Sequence, residues 1–348
     1  NQPIVIVGDF DCDGATSVAL AITALREAGF VNVDYLVPNR FDYGYGLTPP
    51  IVELCQQQGA QLIVTVDNGI SSIEGVEAAN AMGIDVIVTD HHLAGSQLPA
   101  AKAIVNPNQP GCPFTSKALA GVGVMFYVLI ALRAKLREQG AGDIALASYL
   151  DLVALGTVAD VVPLDRNNRI LVDQGIRRMR AGALRPGIEA ILKASGKSLS
   201  SLTSRDLGFS VGPKINAAGR LDDISMGIRC LTASNMGEAM HIAEQLVSLN
   251  DQRREVEQTM RDQAEQLLAE LDLATLPSVI TLFDERFHEG VIGILASRIK
   301  ERHHRPTIVF ALTGDGTQIK GSARSIDGIH IRDLLDATAT ANPNLLNK

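Results

Sequence analysis

A chain of 348 residues, 46% hydrophobic and only 4% aromatic, can bury the cores of two α/β domains, and no apolar run nears the roughly 20 residues that span a bilayer. No signal-peptide pattern opens the chain, and its first residue is Asn1 rather than Met, so an excised, cytoplasmic core is expected. Cys12, Cys55, Cys112 and Cys230 are scattered without a C-x-x-C pair, which excludes a zinc ribbon or disulfide framework, while the net charge of -8 weighs against a nucleic-acid partner only until its distribution is read.

Ile4-Val5-Ile6-Val7 is an unbroken β-branched run, the pattern of a strand buried on both faces of a parallel sheet. It ends at Gly8-Asp9-Phe10-Asp11-Cys12-Asp13-Gly14. These acids are spaced like the opening of a calcium loop, but position 20, where such a loop needs an acid, is Leu20. The calcium reading therefore fails. Gly14 is expected to turn the chain into a helix over 15–28, closed by Gly29. A short strand over 33–37 follows, then a loop over 38–46 carrying Arg40 near the edge of the sheet. Thr48-Pro49-Pro50 opens a helix with a hydroxyl cap and proline in the first turn. The strand over 62–66 ends at Asp67-Asn68-Gly69, a helix covers 71–82, and the strand that begins at Asp85 ends at Asp90-His91-His92. This β-α-β-α-β alternation specifies a right-handed parallel sheet.

In open α/β sheets, ligands sit beyond the carboxyl ends of the strands. Three strands that release acids or imidazoles there would deliver them into one crevice. Crowded carboxylates repel one another, so the cluster needs a cation. Oxygen and imidazole ligands without a thiolate pair suit Mn²⁺ or Mg²⁺ better than Zn²⁺. The plainer alternative is that each acid only caps the following helix, for which one Asp suffices.

Beyond Asn106-Pro107 the sequence turns largely helical, with apolar helices over 119–136 and 145–158. Asp160 follows in apolar company, either capping a helix or reaching the metals. Residues 210–220 read as a Gly-rich loop in which Lys214, Asn216 and Arg220 contact phosphate, or as a plain turn. A polar-faced helix over about 235–271 opens with an Asn235/Glu238 capping pattern and would form a rod on the order of 50 Å between two domains. After it come a strand over 278–283, a helix over 291–302, a strand over 307–312, and a strand ending in Lys320-Gly321-Ser322-Ala323-Arg324-Ser325, where small residues around an arginine buried at the sheet edge suit an anion pocket. His288, His303, His304 and His330 read as surface or packing residues.

Charge follows this division. Residues 1–163 hold 7 Lys and Arg against 16 Asp and Glu, whereas 164–230 hold 12 against 6 and 286–332 hold 8 against 4. An acidic body flanked by basic segments suits a polyanion led toward a metal site; ordinary solvated helix faces would give similar counts.

The four segments Gly8–Gly14, Asp67-Asn68-Gly69, Asp90-His91-His92 and Gly156-Thr157-Val158-Ala159-Asp160 resemble, in order and spacing, the motifs of the DHH phosphoesterase superfamily. Pro213-Lys214-Ile215-Asn216-Ala217-Ala218-Gly219-Arg220-Leu221, His288-Glu289-Gly290-Val291-Ile292-Gly293 and Gly321-Ser322-Ala323-Arg324-Ser325 narrow this to its single-strand-specific 5′→3′ DNA exonucleases. The resemblance implies a DHH catalytic domain (1–233), a connecting helix (234–275) and a truncated DHH-associated α/β domain (276–348) that binds substrate. It implies two Mn²⁺ or Mg²⁺ ions on Asp11, Asp13, Asp67, His91 and Asp160, with Asp67 bridging and Asp9 a further ligand. Asp90 would orient a histidine and His92 would face the scissile phosphate. Ser322 and Arg324, with Arg40, would receive a 5′ phosphate, and Lys214, Asn216 and Arg220 would track the strand backbone. Implied partners are single-stranded DNA and, among proteins, a single-strand-binding protein or helicase, with the chain a monomer. A phosphodiesterase of short oligonucleotides or small phosphates, and a catalytically dead DNA-binding subunit, are the alternatives; intact carboxylates at all four motifs speak against the latter. Val7, Lys214 and Cys12 depart from residues common in the family, histidine, arginine and alanine respectively.

Overall fold

The computed structural model describes residues 2–37, 43, 45–269, 277–331, 334, 335 and 338. Two compact units divide the chain, 1–250 and 251–348.

The first unit is built on a five-stranded, wholly parallel sheet in the order β2-β1-β3-β4-β5, formed by β1 (Ile4–Val7), β2 (Val33–Leu36), β3 (Leu62–Val66), β4 (Asp85–Thr89) and β5 (Ala103–Val105). The β-branched runs are apolar throughout because both faces are covered. Ile4, Ile6, Val64 and Val66 join one core cluster, whereas Val5, Val7, Ile63, Val86 and Val88 join the other. The first face packs on α1 (Cys12–Glu27), α4 (Gly121–Glu138) and α5 (Leu150–Ala159); the second packs on α2 (Pro49–Gln57) and α3 (Ile73–Ala81). Each Leu, Ile or Val buried this way contributes about 1.5–3 kcal/mol. The chain runs from β1 to β2 on one side and returns to β3 on the other, so the topology reverses beside β1, where crevices form in such sheets.

The rest of the unit is helical: α6 (Arg166–Arg180), α7 (Pro186–Ala194), the single turn α8 (Ser204–Asp206), α9 (Gly212–Leu221) and α10 (Ser225–Thr232). The expected Gly-rich loop is therefore corrected to a helix: a π-helical turn over Leu207–Val211 runs into α9. Pro213 falls in the first turn, where its missing N–H costs nothing, and Gly219 is required because a Cβ there would lie 2.1 Å from the Phe10 carbonyl oxygen. Gly14 likewise lies inside α1 rather than before it, and a Cβ on it would meet the Asp9 carbonyl oxygen at 2.3 Å. Thr48 precedes α2 but makes no side-chain cap.

Helix α11 (Met236–Ala269) realises half of its expected capping box: Glu238 N–H donates to Asn235 Oδ1 at 3.0 Å, but Glu238 Oε2 accepts from the Ser234 amide, one residue before the amide a capping box uses. The second unit contains its C-terminal part, α12 (Ile292–His303), and a sheet in the order β6-β7-β8 of β6 (Ile280–Phe283), β7 (Thr307–Leu312) and β8 (Ile319–Arg324). Strands β6 and β7 are parallel, β7 and β8 antiparallel, and Leu295, Ala296, Ile299, Val309 and Ala311 lie in the unit's apolar interior. No helix among the described residues is long and apolar enough to cross a membrane.

A candidate metal centre at the carboxyl ends of three strands

In register, β1, β3 and β4 end side by side, with Val7 opposite Thr65 and Val66 opposite Thr89. The residues just past those ends meet at once. The Asn68 amide nitrogen donates to the carbonyls of Val7 (3.1 Å) and Val66 (2.9 Å), stitching β1 to β3. The Asp67 N–H donates to Thr89 O at 3.0 Å, and Thr89 Oγ1 donates to Thr65 O at 2.7 Å, stitching β3 to β4. Asp67 itself adopts φ 63°, a left-handed conformation that costs of order 1–3 kcal/mol for a residue with a Cβ and is held only where the surroundings impose it.

The acids expected from sequence come together. His91 Nε2 lies 3.1 Å from Asp67 Oδ1 and 3.6 Å from Asp160 Oδ2. Among the described residues, two sets of ligand atoms lie within 4.8 Å of one another, Asp67–His91–His92 and Asp13–His91–Asp160, so His91 belongs to both. Asp13 enters from α1, 1% exposed, and both its oxygens are engaged: Oδ2 accepts from Gly121 N–H at 2.6 Å and Oδ1 from Val122 N–H at 3.0 Å. Asp160 sits at the C-terminal end of α5, so it both ends a helix and reaches His91.

Asp11 is the N-cap of α1, accepting from Gly14 N–H at 3.0 Å, which realises the capping alternative for this one acid. It stands outside both ligand-spaced sets, yet its charge raises the pKa of Asp9, Asp13, Asp67 and Asp160. Asp9 is buried, with Oδ1 accepting from Phe10 N–H at 2.7 Å. Asp90 is saturated: it accepts from the amides of Ile70, His91 and His92 and from His92 Nδ1 at 2.8 Å. A carboxylate only accepts, so Nδ1 of His92 carries its proton, and Nε2 lies 3.4 Å from the Tyr45 hydroxyl.

The electrostatics follow from burial and crowding. Burial, then Asp11, pushes Asp9 up to about 7, and the same causes push Asp160 up to about 7. Burial and neighbouring acids hold Asp13 and Asp67 well above the usual carboxylate range. Burial and the nearby His92 lower His91, which keeps its imidazole neutral. The Asp90 hydrogen bond raises His92 to about 9, so it is a cation at neutral pH; the amide and imidazolium partners of Asp90 outweigh its burial and lower its own pKa.

These residues fit divalent cations. Asp67 Oδ1, His91 Nε2 and Asp160 Oδ2 are buried and make no hydrogen bond. Buried acceptors converging without a donor are costly, and a cation removes both the cost and the repulsion.

Four features escaped sequence reasoning. The Tyr45 hydroxyl sits 3.4 Å from both His92 nitrogens, its ring edge-on to Phe10 and His92 at 5.9 Å. Asn216 Oδ1 accepts from Cys12 N–H at 2.6 Å and so holds the acidic loop. Lys214 is buried, its Nζ donating to Ser210 O at 2.7 Å. The amides that bind Asp13 come from 108 residues away. Arg220 is partly exposed on the same helix as Lys214 and Asn216. Arg40 lies outside the described residues.

In the second unit, Ser322 and Arg324 lie together on β8, with Arg324 Nη1 donating to Ser322 Oγ at 3.1 Å. Gly293, in the first turn of α12, lies against both: a Cβ there would be 3.0 Å from Ser322 Oγ and from Arg324 Nη2. Arg324 is exposed rather than tucked into an edge.

A parallel sheet whose strand ends pool aspartates and a histidine pair defines a DHH protein, and family models described as "DHH family, N-terminal domain" and "DHHA1 domain" match residues 3–157 and 276–344. The chain is 57% identical over 353 residues to the single-stranded-DNA-specific exonuclease RecJ of Escherichia coli (strain K12), covering 99% of this chain and 61% of that protein. It is 33% identical over 325 residues to the protein of that name from Thermus thermophilus, covering 93% of this chain and 45% of the relative. A crystal structure of exonuclease RecJ bound to manganese superposes with a TM-score of 0.82 at 33% identity, covering 96% of this chain and 80% of that one. The chain belongs to the RecJ family. It spans about 61% of the Escherichia coli relative's length.

Proposed function

We propose that this chain is the core of a two-metal 5′→3′ exonuclease that hydrolyses phosphodiester bonds of single-stranded DNA, in DNA repair and recombination. The observation that carries the reading is the convergence of Asp67, His91 and Asp160 on buried atoms that no donor satisfies. Asp11, Asp13, Asp67, His91 and Asp160 would hold two Mn²⁺ or Mg²⁺ ions, with Asp67 between them and Asp9 a further ligand. Two metals so bound activate water and neutralise charge on the attacked phosphate and the leaving oxygen.

The remaining chemistry belongs to the chain's own side chains. His92, protonated and oriented by Asp90, donates from Nε2 to a non-bridging phosphate oxygen as charge builds there. Asp90→Asn removes the charge that raises His92. The alkaline limb of kcat/KM against pH, expected near 9, should then move toward neutrality; an unmoved limb would contradict this role.

The Ser322/Arg324 pair, facing the first turn of α12, would receive a terminal 5′ phosphate, with Arg40 as a third contact. Lys214, Asn216 and Arg220, all on α9, would track the strand backbone, with Lys214 also bonded to Ser210 O and Asn216 to the Cys12 amide. The functional division would be a catalytic domain over 1–233, a connecting helix over 234–275, of which 270–275 lie outside the described residues, and a substrate-binding domain over 276–348. A cytoplasmic setting, a monomer, and a single-strand-binding protein or helicase as partner complete the proposal.

Digestion of 5′- and 3′-end-labelled single strands with Mn²⁺, Mg²⁺ or chelator tests it. Metal-dependent release from the 5′ end of a 50-mer is expected; preference for a dinucleotide would replace the reading with a short-oligonucleotide phosphodiesterase.

The raised carboxylates give a pH signature. In the unfolded chain these aspartates ionise near 3.8; in the metal-free fold Asp9 and Asp160 hold their protons up to about 7. Between those values the folded state binds more protons, so its stability falls as pH rises. Cations bind the ionised form, so Mn²⁺ should raise the melting temperature more at pH 8 than at pH 6. An equal rise at both would show that these acids do not bind the metal.

A further inference from the structure

We infer that the first turn of α4, which supplies no ligand of its own, is the positioning arm of the metal centre, and that Gly121 is its key residue. This builds on the metal-centre reading and adds an element to it. Two contacts made by one residue carry the inference.

The first is polar. Ala120 sits at the N-cap of α4 and has no side-chain cap to offer, so the first amides of the helix need an acceptor from elsewhere. Asp13 provides it: the Gly121 and Val122 N–H groups donate to its two oxygens at 2.6 and 3.0 Å. A carboxylate held by two amides at the positive end of an 18-residue helix has its rotamer and tilt set before any cation arrives.

The second is steric. A Cβ on Gly121 would lie 2.5 Å from both the Cβ and Oδ1 of Asp67, and 2.7 Å from its Cγ. Asp67 holds its left-handed φ of 63° with its side chain pressed against that bare α-carbon. One glycine thus fixes Asp13, from α1, and Asp67, from the end of β3, relative to each other. These acids belong to the two different ligand sets that share His91. By contrast, a Cβ on Gly123 would meet only Leu119, at 3.1 Å from its flexible Cδ2.

Both glycines lie in a helix, where alanine is the better former, so neither substitution weakens α4 intrinsically. Gly121→Ala should weaken Mn²⁺ binding at least about tenfold, read from the free-Mn²⁺ EPR signal without DNA, whereas Gly123→Ala should stay within about twofold of the parent. Wild-type-like affinity in Gly121→Ala, or equal losses in both, would overturn the proposal. If Gly121→Ala folds poorly, melting in chelator decides. The melting temperature should drop in the parent but not on an Asp67→Gly background, where the atoms that alanine would strike are gone. An equal drop in both backgrounds would overturn the proposal. Because these readouts need no hydrolysis, failure of the nuclease reading in an end-label assay remains separate from failure of this one.

Discussion

Asp67→Ala should lower kcat on single-stranded DNA by at least about 10³-fold while changing the dissociation constant for DNA less than about threefold. Asp67 is 1% exposed, its Oδ1 faces His91 Nε2 at 3.1 Å, and its side chain touches no strand-binding surface described above. Removing it takes away the ligand proposed to lie between two like charges, and Asp13 cannot swing in to replace it because two amides fix its carboxylate. Single-turnover rates in Mn²⁺, with binding measured by anisotropy in chelator, separate the two effects. Turnover near that of the parent would refute the bridging role.

His92→Gln should lower kcat about 10²- to 10³-fold, the usual effect of removing one charge-stabilising donor, and leave Mn²⁺ affinity within about threefold. Glutamine keeps a donor and much of the length but loses the positive charge that Asp90 maintains to about pH 9. The metal affinity makes this test specific. His92 stands at ligand spacing from Asp67 and His91, so a large affinity loss would show that it binds a cation instead of the phosphate. Mn²⁺ titration of the variant beside its rate constant checks both.

Much of this site is legible in the sequence because buried parallel strands are unbroken apolar runs, and an acid at their end is conspicuous. Ile4–Val7, Leu62–Val66 and Asp85–Thr89 all show it, and the sheet register then puts Asp9, Asp67 and Asp90 next to one another. Strand β5 escaped notice because three residues with partly exposed side chains, Ala103–Val105, carry no pattern. Helix α9 reads as a loop because Gly212, Pro213 and Gly219 are usual breakers; here proline fits the first turn and glycine answers the Phe10 backbone, a contact more than 200 residues away in sequence. The capping of α4 by Asp13 and the grip of Asn216 on Cys12 are likewise long-range and leave no local trace. For Asp160, local pattern leaves a cap and a metal ligand equally open, and the fold puts the residue in a position to serve as both.

Anomalous diffraction from crystals soaked in Mn²⁺ tests most directly whether separate strands hold a pair of cations. Two peaks about 3.5–4 Å apart are expected in the crevice, both within bonding distance of Asp67 and at least one of His91. An empty crevice with Mn²⁺ bound elsewhere, or one peak away from Asp67, would contradict this expectation.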